Sequence, residues 1–391
     1  MKRKLLNHGN GPESFSPVIM LLGRRDEPTD AVRDYTICLG DALRQRGISC
    51  AIREIRWHAQ GWFAALSRLW KDSRVWRGQW VVLHYTALMW SRRGFPLAAP
   101  FILGILKIRG CRTAVVFHDV YAIAGPRWVD RARIYFQERI MRHLSKNATR
   151  AILPVPVDSA SWMPALAKSI FIPIGANIPS LDDLAGEGFV PVRDGIPTVA
   201  VFGVTTWPAA QNREVEAIVH AVRHACAAAG ELQLLVLGRG AKEAEPLLRD
   251  QLAGSRVRLR VEGLCSEREI SASLAASDVL LFVRGALSTR RGSGLAGIAC
   301  GLPIVAYQGR ETAWPLTQAG IVFVRQDDLV SLGNQLSALL LDRKRRLDFG
   351  ARNRAVFREW FSWGRIAERW IEALGAARPG AVRQEKRVVT R

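Results

Sequence analysis

A chain of 391 residues, 49% hydrophobic and 23% charged, is too apolar to stay disordered and too long for one ordinary core, so two domains are expected. The net charge of +21 points to anionic partners, among them anionic lipid and phosphorylated substrates. Nucleic acid drops out, because the sequence has no helix-turn-helix, zinc-finger or RNA-recognition signature.

Lys and Arg exceed Asp and Glu by 27 to 15 up to Val190 and by 29 to 20 after it, so both halves are basic. Six cysteines without C-x-x-C spacing predict reduced thiols in a cytoplasmic protein and argue against a zinc site. The longest apolar run, Phe95 to Ile108, is broken by Pro100 and Gly104 and is too short to cross a bilayer. Residues 1–15 contain no continuous apolar stretch of signal-peptide type and are expected to be flexible.

In chain order, Pro17 to Gly23 reads as a buried strand, Ala31 to Arg46 as a helix stopped by Gly47, and Ile48 to Ile55 as a second strand. Such a strand-helix-strand unit is the start of a doubly wound α/β domain. From Trp57 to Trp80 five tryptophans alternate with basic residues, and two readings compete. The segment is either an interfacial helix for an anionic membrane, or an ordinary helix whose Trp62, Leu66, Leu69 and Trp70 line the core. Val81 to Tyr85 is a strand, followed by a basic loop with Arg92 and Arg93. Arg112 to Asp119 is another strand, presenting His118 and Asp119 at its carboxyl end, where parallel sheets bind ligands.

Helical patterning from Trp128 to His143, a strand at Ala151 to Val155 and a strand and turn at Ser169 to Ile178 complete the first domain, 16–178. Residues 179–197 are acidic, glycine-rich and aperiodic, which marks a linker. The alternation restarts with strands at Thr198 to Phe202, Gln233 to Leu237, Val257 to Val261 and Val279 to Val283 and a helix from Arg213 to Ala229, the body of a second domain, 198–355. Residues 376–391, with five basic residues and one acidic, are expected to be a disordered tail.

The richest stretch is Arg284 to Tyr307, RGALSTRRGSGLAGIACGLPIVAY. It joins a strand end to a basic turn, a glycine-containing helix start and a further strand. A helix opening at Gly292-Ser293-Gly294 would aim free N–H groups and its positive end at a bound anion, and Arg290 and Arg291 stand beside it. A diphosphate suits this chemistry.

Together with VAVFGVTTW, LLVLGRG and the C-terminal FREWFSWGRIAERWIEAL, this stretch resembles the GT-B retaining glycosyltransferases of the family 4 or "group 1" type, strongly after Pro197 and more weakly before it. The resemblance implies two Rossmann-like doubly wound domains facing each other across a cleft, with a C-terminal helix, 356–375, returning toward the first. It implies transfer of a sugar from a nucleoside diphosphate to a glycan, lipid-linked or small-molecule acceptor with retention, in polysaccharide or glycoconjugate biosynthesis, without metal or other cofactor. Donor contacts then fall to Gly203, Thr205, Thr206, Gly238, Arg290, Arg291, Gly292, Ser293 and Gly294. His118 would act at the donor sugar, and Arg92, Arg93 and Asp119 at the acceptor. The sequence departs from the family where its two motif glutamates, eight positions apart, are replaced by Ser288 and Ala296. That departure keeps open a non-catalytic nucleotide-sugar-binding or scaffold role. Peripheral attachment to the inner face of the plasma membrane is a further expectation from the Trp/Arg segment.

Overall fold

Apolar runs buried on both faces form the central strands, and mixed, partly exposed runs such as Val257–Val261 form the edge strands. In the computed structural model, which describes residues 17–24, 30–122, 125, 127–164, 168–191 and 195–375, they build two six-stranded parallel sheets. The expected flexible start and basic tail lie outside the described residues, as does most of the polar loop after the first strand.

The first sheet comprises β1 (Val18–Leu22), β2 (Cys50–Glu54), β3 (Trp80–Tyr85), β4 (Arg112–Phe117), β5 (Arg150–Leu153) and β6 (Ser169–Phe171), in the order β2-β1-β3-β4-β5-β6. Every residue of β1 and β3 is buried, as expected of parallel strands covered on both sides. The second comprises β7 (Thr198–Phe202), β8 (Leu232–Leu237), β9 (Val257–Val261), β10 (Val279–Ala286), β11 (Ile304–Tyr307) and β12 (Ile321–Val324). Its order, β9-β8-β7-β10-β11-β12, is that of a dinucleotide-binding sheet whose direction of winding reverses between β7 and β10.

The period-2 pattern of strands explains how this second sheet is held. Val199, Val201, Leu234, Val236, Leu281 and Val283 enter one core with the Pro208–Ala229 and Leu329–Leu341 helices. Ala200, Leu235, Leu237, Leu280 and Phe282 enter another, with the Glu267–Ala276 and Gly292–Ala299 helices.

Contacts divide the chain into two units. One runs up to Val116, then takes residues 123–151 and everything from Trp370 onward; the other takes Phe117–Ala122 and Ile152–Arg369. His118 and Asp119 therefore belong to the unit that contains the basic turn. The helix Trp363–Leu374 is shared out accordingly: Trp363 Nε1 donates to the Ala176 carbonyl, whereas the buried Trp370 donates to the Tyr35 hydroxyl.

Three local expectations are corrected. The linker, read as aperiodic, contains the helix Leu181–Gly186, started by a Ser180–Asp183 capping box. The Arg213–Ala229 helix begins earlier, at Pro208, because proline suits the first turn of a helix. In the Trp62–Asp72 helix only Ala65 and Leu69 are buried; Trp62 and Leu66 are partly covered and Trp70 is exposed. Trp70 is met instead by Arg109, whose guanidinium lies 3.5 Å from the ring centroid.

Candidate functional site: an arginine cluster at the crossover of the second sheet

The carboxyl ends of β7 and β10 lie side by side where the winding reverses, the place at which open α/β sheets bind ligands. From β7 the chain turns at Gly203, whose φ of +80° is open to glycine and costly for other residues. From β10 it bulges: the register passes from Phe282 opposite Ala306 to Ala286 opposite Tyr307, so residues 283 to 285 are extra on the β10 side. The bulge carries Arg284 out of the ladder. Its guanidinium sits over Gly203, at 2.8 Å from where a Cβ on that glycine would stand.

Past the bulge, Ser288 and Thr289 are buried, and Thr289 donates its hydroxyl to the Pro154 carbonyl. This anchors the turn that presents Arg290 and Arg291. Arg291 is the N-cap of the Gly292–Ala299 helix, and its own carbonyl accepts from the N–H groups of Gly294 and Leu295. Gly294 is thus unavailable to a ligand through its N–H. It has instead a packing role, since a Cβ there would meet Leu287 at 2.2 Å.

Arg290 is neutralised within the protein. It donates from Nε and from a terminal nitrogen to the two oxygens of Glu311, at 2.7 Å each. Burial alone would lower its pKa, but the bond to Glu311 and the charges of Glu311 and Asp119 raise it above the ordinary arginine value. Burial pushes the Glu311 carboxyl up; Arg290, with help from Ser288 and Arg291, outweighs this and holds it below the usual glutamate range. The Ser288 hydroxyl faces that carboxylate without completing a hydrogen bond of good geometry.

Arg291 is different. Burial, then repulsion from Arg290 and Arg284, lowers its pKa, only partly offset by Glu311 and Glu214. The Nε atoms of both Arg284 and Arg291 are buried without a hydrogen-bond partner among the described residues. A buried donor left unmade is costly, and a buried unpaired charge more so. An anion with several acceptor oxygens would satisfy both arginines at once.

Thr205 is already engaged: its N–H and hydroxyl both donate to Glu214, at 2.7 and 2.6 Å, which ties the β7 loop to the Pro208–Ala229 helix. Thr206 is exposed. Gly238 and Gly240 both have positive φ, and a Cβ on Gly240 would fall 1.9 Å from the Val204 carbonyl oxygen, so the two glycine turns interlock. On the segment after β4, Trp162 donates to the Val120 carbonyl and Tyr121 to that of Ser159. Arg310 stacks 4.4 Å from the Tyr121 ring centroid and donates to Ser161. His118 is part-buried, and desolvation lowers its pKa to about 4. Its imidazole is neutral at physiological pH.

Of the residues singled out in the sequence, His118, Asp119, Gly203, Thr205, Thr206, Gly238, Arg290, Arg291, Gly292, Ser293 and Gly294 fall in one unit. Arg92 and Arg93 fall in the other, on the loop between β3 and the Ala98–Ile108 helix. Sequence reasoning overlooked Arg284 as a contact, and Glu311 and Glu214 altogether. Arg284 and Glu311 sit at or just beyond strand ends on the ligand-binding edge, the positional signal that could have found them, whereas Glu214 lies inside the Pro208–Ala229 helix and has no such signal.

No protein-family model and no curated protein matches the sequence. Solved structures do match over nearly the whole chain. The Anabaena protein HepE in complex with UDP and glucose is 12% identical, with a TM-score of 0.59 over 92% of this chain and all of that one. A glycosyltransferase from Rickettsia africae is 12% identical, with a TM-score of 0.63 over 93% of this chain and all of that one. A candidate UDP-N-acetylglucosamine 2-epimerase from Listeria monocytogenes is 12% identical, with a TM-score of 0.60 over 93% of this chain and 98% of that one. At this identity the likeness speaks for the fold. With its two doubly wound sheets, the chain has the GT-B fold of two Rossmann-like domains.

Proposed function

We propose that the protein is a retaining glycosyltransferase that takes a sugar from a nucleoside diphosphate. The observation that carries this is a pair of part-buried arginines, Arg284 and Arg291, whose Nε atoms are buried without a partner among the described residues, at the crossover of the second sheet beside a helix N-terminus. HepE, which shares the fold, is a protein seen with UDP-glucose, and a nucleoside diphosphate has the oxygens such a cluster would bind.

In this reading Arg284, Arg291 and Ser293 receive the diphosphate and stabilise its charge as the anomeric C–O bond breaks. The acceptor hydroxyl attacks from the face the diphosphate leaves, and its proton passes to the departing phosphate oxygen. Neutral His118 offers the sugar a hydrogen bond without charge. Glu311 and Glu214 are committed to Arg290 and Thr205, so neither is cast as a nucleophile. Glycan or lipid-linked acceptors fit this activity, and no metal is required where arginines take the charge.

One observation favours a non-catalytic nucleotide-sugar-binding role: Ser288 and Ala296, which replace the two motif glutamates, are buried and carry no carboxylate. Binding and turnover separate the readings. A panel of nucleoside diphosphate sugars is screened by thermal shift, and the stabilising donor is then followed for sugar release, transfer and epimerisation. Transfer with retention supports the proposal; binding without any turnover supports the alternative; an epimerised sugar or no binding to any donor overturns it.

A further inference from the structure

Between Trp57 and Gly110 the chain has eight Lys and Arg residues and one acidic residue, Asp72. In the unit that contains them, two neighbouring helices, Trp62–Asp72 and Ala98–Ile108, turn apolar side chains outward. Phe63 is 88% exposed, Phe101 66% and Ile108 73%. Leu97, Phe101 and Ile108 recur at helical spacing and form a stripe along one helix face. Leu66, Leu97 and Phe101 line one shallow groove between the helices, with Arg92 and Arg93 at its rim. The apolar surface extends through Phe95, whose ring meets that of half-exposed Phe136 edge-on at 5.9 Å.

Contiguous apolar surface of this kind marks an interaction site. Its surroundings narrow the partner. A second copy pairing through the same face would bring two strongly cationic rims together, so an anionic partner is required. The same face must also accept phenylalanine and isoleucine side chains, which a phosphodiester backbone does not reward. Acyl chains beneath phosphate headgroups satisfy both demands. No helix among the described residues is long and apolar enough to cross a membrane, so the contact is one of lying on the surface.

We propose that this face docks the protein on an anionic lipid bilayer, with Phe63, Leu97, Phe101 and Ile108 entering the headgroup boundary and Lys71, Arg74, Arg92, Arg93, Lys107 and Arg109 meeting lipid phosphates. Trp70, held by two hydrogen bonds from Arg109 to its own carbonyl and by the guanidinium over its ring, fits the headgroup level, where an aromatic body and a cation both find partners. The proposal is independent of the reaction assigned above.

The test is flotation of the full chain with vesicles of phosphatidylcholine alone and of phosphatidylcholine mixed equally with phosphatidylglycerol. The parent is expected to float with the anionic vesicles, to be released as salt rises, and to remain behind with the neutral ones. Phe63→Ser combined with Phe101→Ser should weaken binding about tenfold or more. Arg92→Glu combined with Lys107→Glu, a second variant altered only at the surface, should do the same through charge. Matched melting curves show that each variant folds. A parent that stays unbound at low salt overturns the proposal. So does equal flotation of parent and both variants, which would assign binding to another surface, or a lipid-free dimer abolished by the Phe63 and Phe101 substitutions.

Discussion

Arg290 and Glu311 hold each other through two parallel hydrogen bonds of 2.7 Å, with only 25% and 11% of their side chains exposed. The pair joins the basic turn before the Gly292–Ala299 helix to the loop after β11, and it takes one of three clustered arginines out of use as an anion ligand. Glu311→Gln is expected to destabilise the protein by about 2–3 kcal/mol, because Arg290 is left buried without its countercharge. Added nucleoside diphosphate should then stabilise the variant more than the parent, since a third cation faces the ligand. Because the folded Glu311 pKa is depressed, its contribution is complete above the ordinary glutamate value and lost as pH falls through the lower, folded one. Urea melts at falling pH, parent against variant, check the sign: their difference should close in acid.

Arg284 and Arg291 should behave in the opposite way. Each contributes positive charge that the protein does not fully neutralise, so Arg284→Ala and Arg291→Ala are expected to leave melting temperature unchanged or slightly raised. Each should cost about 10- to 100-fold in affinity for a nucleoside diphosphate and almost nothing for the corresponding nucleoside. Titration calorimetry with both ligands makes the comparison. Undiminished diphosphate affinity in both variants would remove the basis of the proposed donor site.

How far the sequence reveals this arrangement depends on which physical signal carries each part. Strands such as Val18–Leu22 and Thr198–Phe202 are legible because burial on both faces forces an unbroken apolar run. The Ala241–Leu252 helix escaped notice because Pro246 and a charged exposed face mask its period, and only Ala241, Ala244, Leu248 and Leu252 are buried. Arg290 and Arg291 could be placed at an anion site from the helix start that follows them. That Arg290 would be silenced, and Arg284 recruited by a bulge, depends on Glu311 lying 21 positions on and on a register shift against β11. Neither has a local signature. The same holds for Trp70, whose outward placement rests on a contact with Arg109.

His118 gives a prediction in pH. Burial lowers its folded pKa to about 4 from an ordinary 6.5, so the unfolded chain binds the proton first as pH falls. Stability is therefore at its full value above pH 6.5 and declines as pH drops from 6.5 toward 4. By pH 4 the loss is on the order of 3 kcal/mol, less what the residue's partial exposure recovers from solvent. His118→Asn removes this dependence. Across that range the parent's denaturant midpoint should fall relative to the variant's as pH drops. Parallel curves would mean that the folded histidine titrates normally and could bring a positive charge to the site.

The two glycine turns of the second sheet separate a folding role from a binding role. At Gly240, φ is +78° and a Cβ would lie 1.9 Å from the Val204 carbonyl oxygen, a backbone atom that cannot move without shifting the whole β7 loop. Gly240→Ala should cost about 2–4 kcal/mol, combining left-handed backbone strain with displacement of that loop. At Gly203, φ is +80°, but the nearest obstacle is the flexible end of Arg284, at 2.8 Å. Gly203→Ala should cost only about 1–2 kcal/mol in stability. Its larger effect should be on diphosphate affinity, because the added methyl pushes the Arg284 guanidinium from its seat. Melting temperature and diphosphate affinity measured on both variants decide the matter: the ratio of binding loss to stability loss must be greater for Gly203→Ala. If Gly203→Ala bound diphosphate as well as the parent, Arg284 would have no part in the site as seated.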